Sequence, residues 1–205
     1  MNPEVQDTYK TISTPSEEAL FKEKGSKFFG YAFPVSSEIQ VKEILEQLRT
    51  KHYSARHWCY AYQFGTEKVT FRTNDDGEPN NSAGMPIYGQ IQSFKVTDVL
   101  IVVVRYFGGV KLGVGGLISA YRTAAQMALE NSEIIEKIIR IHFIIHFEYK
   151  NMNKVMRMIR ENQLEIVSQK MKTDCEIEIS CRKKTSQTVF ETFHSAFEID
   201  IRIKE

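Results

Sequence analysis

Residues 99–128 constrain the fold of this chain more than any other stretch. They begin with a continuous apolar run, residues 99–104, of the kind that forms a buried central strand. A glycine-rich elbow (residues 105–116) follows, and a predicted helix follows the elbow. Glycine permits positive φ and close approach of the backbone to another surface, and a helix N-terminus favours anions. The sequence therefore predicts an anion-binding elbow, with a tight turn that only packs as the alternative. Its glycines are Gly108, Gly109, Gly113, Gly115 and Gly116.

Length and charge restrict the function classes. The 205 residues suffice to bury a core. The net charge of +1 provides no global attraction to nucleic acid or membrane, so any basic site must be local. No apolar run reaches the length of a membrane span, and the N-terminal residues lack the layout of a signal peptide. Three cysteines without metal-type clustering fit a reduced compartment. We expect a cytoplasmic protein with no membrane partner.

The hydrophobic pattern changes near Glu133 and predicts two α+β domains, residues 1–135 and 136–205. In the first, strands are predicted at 27–33, 58–64, 68–72 and 99–104, with helices from Ser37, from Met85 and after the elbow. In the second, strict alternation over residues 139–148 marks a half-buried antiparallel strand. The order there is β-α-β-β-α-β, the ferredoxin-like split βαβ unit.

The elbow matches neither common nucleotide-binding motif. After Gly108 and Gly113, the lysine of a P-loop is replaced by Val114. After Gly113 and Gly115, a Rossmann fingerprint needs glycine or alanine where Ile118 stands. The remaining interpretation is a more general anion site that includes Arg105 and Lys111.

An acidic loop, residues 75–79, lies between the predicted strand at 68–72 and the predicted helix that begins at Met85. Its carboxylates, Asp75, Asp76 and Glu78, are of the type that binds Mg²⁺. Their spacing fits no EF-hand, and Asp with Gly77 is typical of a β-turn. We favour a structural turn and predict neither a metal site nor a cofactor.

Histidines and aromatic residues add further candidates. His142 and His146 lie on a predicted strand, about 13 Å apart at the rise of a β-strand, which is too far for one zinc ion. His57, which precedes a strand, is the histidine best placed for chemistry. Aromatic residues in the first half, with nearby cations, favour either an RNA surface or simply an aromatic core.

A local basic patch is predicted on four residues together with the elbow's N–H groups: Arg56, Arg105, Lys111 and Arg122. The acidic loop and the elbow both leave ends of strands, so we expect them to line one cleft with His57. If Arg105 is instead paired with Asp76 or Glu78, its role is architectural.

Several ordered motifs resemble the IMPACT family, in its bacterial YigZ branch. They are RHxC from Arg56, NDDGEP from Asn74, AGxP from Ala83, VVRYFGGxxLGxGGL from Val103 and AY from Ala120. One departure is Asn80-Asn81-Ser82, where family members usually have Ser-Gly-Thr.

The resemblance implies a first domain of the superfold shared by GHMP kinases, domain IV of elongation factor G and the second domain of ribosomal protein S-five. It implies that the second domain is similar to the C-terminal ferredoxin-like domain of elongation factor G. Eukaryotic members regulate translation through an additional N-terminal RWD domain. The residues before Lys24 are too few for such a domain, so we expect no RWD-mediated partner.

These observations favour a non-catalytic, translation-associated regulator that binds RNA or the ribosome. The alternative is a metal-dependent enzyme acting on a phosphorylated or nucleotide substrate. Asp75, Asp76 and Glu78 would then hold the metal, and Arg105 with Lys111 the phosphate. A complete set of nucleophile, base and orienting group is missing from the sequence, which favours the binding protein.

Overall fold

The computed structural model describes residues 6–204, which divide into two compact units. One is Tyr9–Lys137, and the other is residues 138–204 together with residues 6–8. Asp7 ties the short N-terminal segment to the second unit. Its carboxylate accepts hydrogen bonds from Arg182 Nε and the Lys184 N–H, and its carbonyl accepts one from Ile139. Residues 6–8 therefore group with the second unit, although they precede the first in the chain.

The elements of the first unit, in chain order, are β1 (Thr8–Ile12), β2 (Ala19–Glu23), β3 (Ser26–Pro34), α1 (Glu38–Lys51), β4 (His57–Phe64), β5 (Thr70–Asn74), α2 (Gly84–Phe94), β6 (Val99–Tyr106), α3 (Gly113–Glu130) and β7 (Ile134–Ile138). Five of the strands form an antiparallel sheet in the order β2-β3-β6-β4-β5, and β1 pairs separately with β7.

The apolar run of β6 is buried on both faces of this sheet. Val99, Ile101 and Val103 share a core with residues of α2 and α3. The alternate residues, Leu100 and Val102 among them, share a second core with α1. Because strand side chains alternate between faces, a central strand between two helical layers must be apolar throughout. This requirement explains the continuous apolar run at residues 99–104, from which the sequence predicts the strand.

The elements of the second unit are β8 (Arg140–Glu148), a 3-10 turn (Tyr149–Asn151), α4 (Met152–Glu161), β9 (Glu165–Lys170), β10 (Asp174–Arg182), α5 (Lys183–His194) and β11 (Ile199–Ile203). They have the split βαβ arrangement, with strand order β11-β8-β10-β9. Alternate residues of β8, including Phe143, Ile145 and Phe147, lie in the core of this unit, as the alternation predicts. Cys175 and Cys181 are buried there too, and all three cysteines are free.

Three strands, β1, β2 and β7, have no counterpart in the sequence-based assignment. Each spans only five residues, which is too short for a strong periodic signal in the sequence. Within residues 6–204, none of the helices combines the length and apolar character needed to cross a bilayer.

Candidate functional site

A buried charged cluster lies where β4, β6, the acidic loop and α3 meet. His57 on β4 is directly opposite Arg105 on β6. Arg105 Nη1 donates to Glu78 Oε1 at 2.6 Å, and both side chains are almost fully buried. The Tyr121 hydroxyl, from α3, donates to the same oxygen at 2.8 Å. His57 Nε2 is 3.9 Å from it. The acidic loop, His57 and the root of the elbow are therefore neighbours.

Arg105 is held inside the unit from several sides. Its guanidinium carbon lies 5.5 Å from the ring centre of Phe28 and 5.7 Å from that of Phe107. Nη2 is within 3.5 Å of Ser26 Oγ, while Nε has no hydrogen-bond partner in the described part of the chain. Arg105 is thus not the surface cation of the predicted basic patch. Its ion pair with Glu78 agrees with the alternative prediction, in which Arg105 has a structural role. Because the side chain is buried, it does not contact an external phosphate.

The carboxylates of the acidic loop are engaged in internal contacts. Asp75 Oδ1 accepts the N–H groups of Ala83 and Gly84 at 2.9 Å each, which caps the start of α2. Asp76 Oδ2 accepts the Trp58 N–H at 2.7 Å. With Glu78 committed to Arg105, these groups hold the loop in place. The loop also adopts the positive φ of a turn at Asp76 (42°) and at Gly77 (88°).

This arrangement bears on the metal-dependent alternative. That alternative needs Asp75, Asp76 and Glu78 as oxygen ligands, and in the structure each of these carboxylates accepts hydrogen bonds from the protein. Within residues 6–204, no group of three metal-ligating side chains is close enough to hold an ion. The observed contacts favour the structural turn.

Two further reactive side chains border the cluster. The Cys59 thiol donates to the Asp75 carbonyl at 3.0 Å and lies 3.3 Å from the Tyr121 hydroxyl. Burial raises the pKa of the Cys59 thiol, and burial likewise raises that of Tyr121. Both groups therefore stay protonated at neutral pH, and Cys59 lacks the thiolate that a nucleophile needs.

The elbow begins with a glycine packed against another loop. The Gly108 N–H donates to Ser26 Oγ at 3.2 Å. A Cβ on Gly108 would lie 1.9 Å from the carbonyl carbon of Gly25, in the turn between β2 and β3. Only glycine permits this approach of two backbones, so Gly108 is needed for packing.

The later glycines of the elbow leave the backbone open. Gly109 and Gly113 have φ of 86° and 72°, and a Cβ on either of them or on Gly115 would meet nothing within 4 Å. Gly116 differs, because its Cβ would contact Leu112. Gly109, Gly113 and Gly115 therefore make the main chain accessible from outside.

Three cations of the predicted patch are exposed: Arg56, Lys111 and Arg122. In the described chain their side chains take part in no hydrogen bond or ion pair. The Arg56 N–H contacts the Arg105 carbonyl, which places this residue at the root of the elbow. Arg122 lies nine residues beyond Gly113, about 13 Å along the helix axis, so it is not part of the elbow surface.

Two residues that contact the cluster, Ser26 and Tyr121, are not among the site residues predicted from the sequence. Neither stands out by its chemical type. A usable signal is the absence of acid: residues 99–129 contain no Asp or Glu, although the chain has 26. This absence marks the elbow more clearly than its basic residues do.

Most of the first unit matches a known protein family in sequence. Residues 24–129 match the family described as the Impact N-terminal domain. That range begins at the β2–β3 turn and ends within α3, so it contains the whole cluster and the elbow. The fold and site thus define an Impact-type α+β domain, followed here by a split βαβ unit. The chain belongs to the IMPACT family.

Individual relatives agree with this assignment. The chain is 33% identical over 156 residues to IMPACT family member YvyE of Bacillus subtilis, covering 76% of this chain and 71% of that protein. It is 31% identical over 175 residues to an IMPACT family member of Haemophilus influenzae, covering 83% and 85%. A crystal structure of a hypothetical protein has a TM-score of 0.74 at 23% identity, covering 98% of this chain and 99% of that one; this likeness concerns the fold.

Proposed function

We propose that this protein is a non-catalytic, translation-associated regulator that binds RNA, including RNA of the ribosome, through the elbow. The first unit then belongs to the superfold of domain IV of elongation factor G and of GHMP kinases, and the second to the ferredoxin-like class. The regulatory role rests on membership of the IMPACT family. The RNA-binding role rests on the chemistry of the elbow.

The observation that carries the proposal is an exposed, unpaired lysine in the elbow without acidic neighbours in sequence. Lys111 is exposed and unpaired within the described residues, and the acid-free stretch of residues 99–129 surrounds it. Arg56 adds a second exposed cation at the root of the elbow. At Gly109 and Gly113 a Cβ would meet nothing within 4 Å, so a phosphate can approach the backbone there and accept from its N–H groups. Since the whole chain is nearly neutral, this local segment must supply the attraction to a polyanion.

The arrangement of the buried cluster supports a binding role. Glu78, Arg105 and Tyr121 hold the acidic loop and the root of the elbow in fixed positions through hydrogen bonds. A rigid support orders the exposed residues before a partner arrives, which lowers the entropic cost of binding. In this proposal the cluster positions the elbow and touches no RNA.

The test is RNA affinity measured as a function of salt. Each phosphate contact to a single strand contributes a slope of about 0.7 log units per log of salt. Lys111→Ala should weaken binding to many RNA sequences and reduce the slope by about that amount. Lys42→Ala is the matched control, since Lys42 is exposed on α1, which packs on the opposite face of the sheet.

The two variants separate the proposal from a general effect of charge. We expect Lys42→Ala to retain the affinity and salt slope of the wild type. Equal losses in both variants would indicate a diffuse attraction and overturn the elbow as the site. Absence of salt-dependent RNA binding by the wild type would overturn the RNA-binding function itself.

A further inference from the structure

The elbow carries a large aromatic side chain at its surface. Phe107 is 47% exposed, whereas Phe28, the other ring beside Arg105, is completely buried. The guanidinium of Arg105 contacts both rings. Phe107 is therefore the outermost member of a set of three planar groups, and its ring is supported from inside by a buried cation.

The surroundings of Phe107 suit an aromatic polyanion. Lys111 is four residues away, the backbone at Gly109 is open, and the sequence between residues 99 and 129 contains no carboxylate. The Glu78 carboxylate of the neighbouring acidic loop is buried and paired with Arg105. Val110 is exposed as well. An exposed apolar ring four residues from an unpaired cation, in a segment with open backbone, matches a nucleotide unit, in which a flat base is joined to a phosphate. An apolar protein segment would use the ring but leave the cation without a partner.

We infer that Phe107 stacks on a base of single-stranded RNA while Lys111 contacts the adjacent phosphate. This inference rests on the proposed RNA-binding function and specifies the form of RNA. In a duplex the faces of the bases are covered by their neighbours, so a protein ring reaches them only at unpaired positions. Stacking also tolerates any base, so the site should select strandedness more than sequence.

A tryptophan at position 107 reports the stacking directly. Trp58 is the chain's only tryptophan, so the double variant Trp58→Phe/Phe107→Trp has one indole, located in the elbow. A short unstructured RNA strand should quench its fluorescence as a base stacks on the ring. The same strand annealed to its complement should quench it much less.

Affinity provides the second readout. Phe107→Leu should weaken binding of the single strand about tenfold, the scale of one base–aromatic stack, without changing the salt slope. Phe197→Leu is the matched control, because Phe197 is 80% exposed in the second unit. We expect this control to bind as the wild type does. Thermal unfolding of each variant establishes that the fold is retained.

The outcomes separate the two levels of the hypothesis. If the wild type binds no RNA, the proposed function fails together with this inference. If the wild type binds with a salt slope that Lys111→Ala reduces, but Phe107→Leu has full affinity and the indole is not quenched, the stacking is wrong and the proposed function stands. Equal quenching by duplex and single strand would also overturn the inference.

Discussion

Arg105 Nη1 and Glu78 Oε1 are 2.6 Å apart in the interior of the first unit, where the two side chains are 6% and 5% exposed. A buried ion pair is costly to form, and removing one partner leaves the other charge without compensation. Glu78 belongs to the acidic loop and Arg105 to the central strand β6. The pair therefore holds the loop against the root of the elbow.

Loss of this pair should destabilise the first unit strongly. We expect Arg105→Ala to lower its free energy of unfolding by roughly 3–5 kcal/mol, the usual cost of breaking a buried pair. The exposed pair of Arg49 with Asp76 is the control, and Arg49→Ala should cost less than about 1 kcal/mol. Urea unfolding followed by Trp58 fluorescence reports the first unit specifically, because the chain has no other tryptophan.

A double variant distinguishes the ion pair from side-chain packing. Replacing both partners with apolar residues, as in Arg105→Met/Glu78→Leu, should recover much of the stability lost in Arg105→Ala. A cost for Arg105→Ala no larger than that for Arg49→Ala would contradict the architectural role of the pair.

Asn81 stands where the resemblance to the IMPACT family leads us to expect glycine. Its φ is 61°, and its N–H donates to Asp75 Oδ2 at 2.9 Å. Asparagine tolerates the left-handed region better than most residues with a Cβ, which is how this position adopts a positive φ without being glycine. Asn81→Gly should therefore match or slightly exceed the wild type in stability.

A β-branched residue at this position should be costly. We expect Asn81→Val to lower the free energy of unfolding by about 1–2 kcal/mol, because its φ would be strained. Asn80→Val, at the exposed neighbouring position without positive φ, should cost less in the same urea measurement. Similar costs at the two positions would show that the conformation of Asn81 is not the reason.

The fold was more predictable from the sequence than the site because its signals are local. The apolar run of β6 and the alternation of β8 each predict directly which residues of the strand are buried. The burial of Arg105 depends on pairing with His57, which is 48 positions away, and on the return of the loop to place Glu78 beside it. No local pattern distinguishes a cation paired in this way from one at the surface. The five-residue strand β2 is missed for the same reason, since its definition comes from pairing with β3.

A second set of hydrogen bonds, beside α1, determines which ring nitrogen of His52 carries the proton. The Tyr31 hydroxyl donates to Glu18, so Tyr31 accepts from His52 Nε2, 2.6 Å away. His52 Nδ1 then accepts from the Tyr106 hydroxyl at 3.0 Å. The neutral ring with its proton on Nε2 satisfies every partner. Burial lowers the pKa of His52, the charge of Lys51 lowers it further, and Glu18 opposes the shift.

This environment should make the first unit less stable in mild acid. Because the pKa of His52 is lower in the folded state than its ordinary value of 6.5, the unfolded chain binds the proton first as pH falls. Stability is then complete above that value and declines below it. Urea unfolding by Trp58 fluorescence at about pH 7 and pH 5 should show a decline that His52→Gln reduces. A decline of the same size in His52→Gln would exclude His52 as its source.

Gly115 provides a test in which stability and binding change in opposite directions. It lies within α3, its φ is not positive, and a Cβ there would meet nothing within 4 Å. Alanine should therefore stabilise the helix by about 0.5 kcal/mol, the low end of the cost of a helical glycine, since Gly115 lies in the first turn of α3. Within residues 6–204, no neighbouring atom requires glycine at this position.

If RNA approaches the open backbone of the elbow, the added methyl group will stand in its path. We expect Gly115→Ala to raise the melting temperature and to weaken RNA binding several-fold. Ser119→Ala, at an exposed position one turn further along α3, should also favour the helix but leave RNA affinity unchanged. Gly115→Ala with the affinity of the wild type would mean that no ligand contacts the backbone at the start of α3. The open glycines would then serve the course of the turn alone.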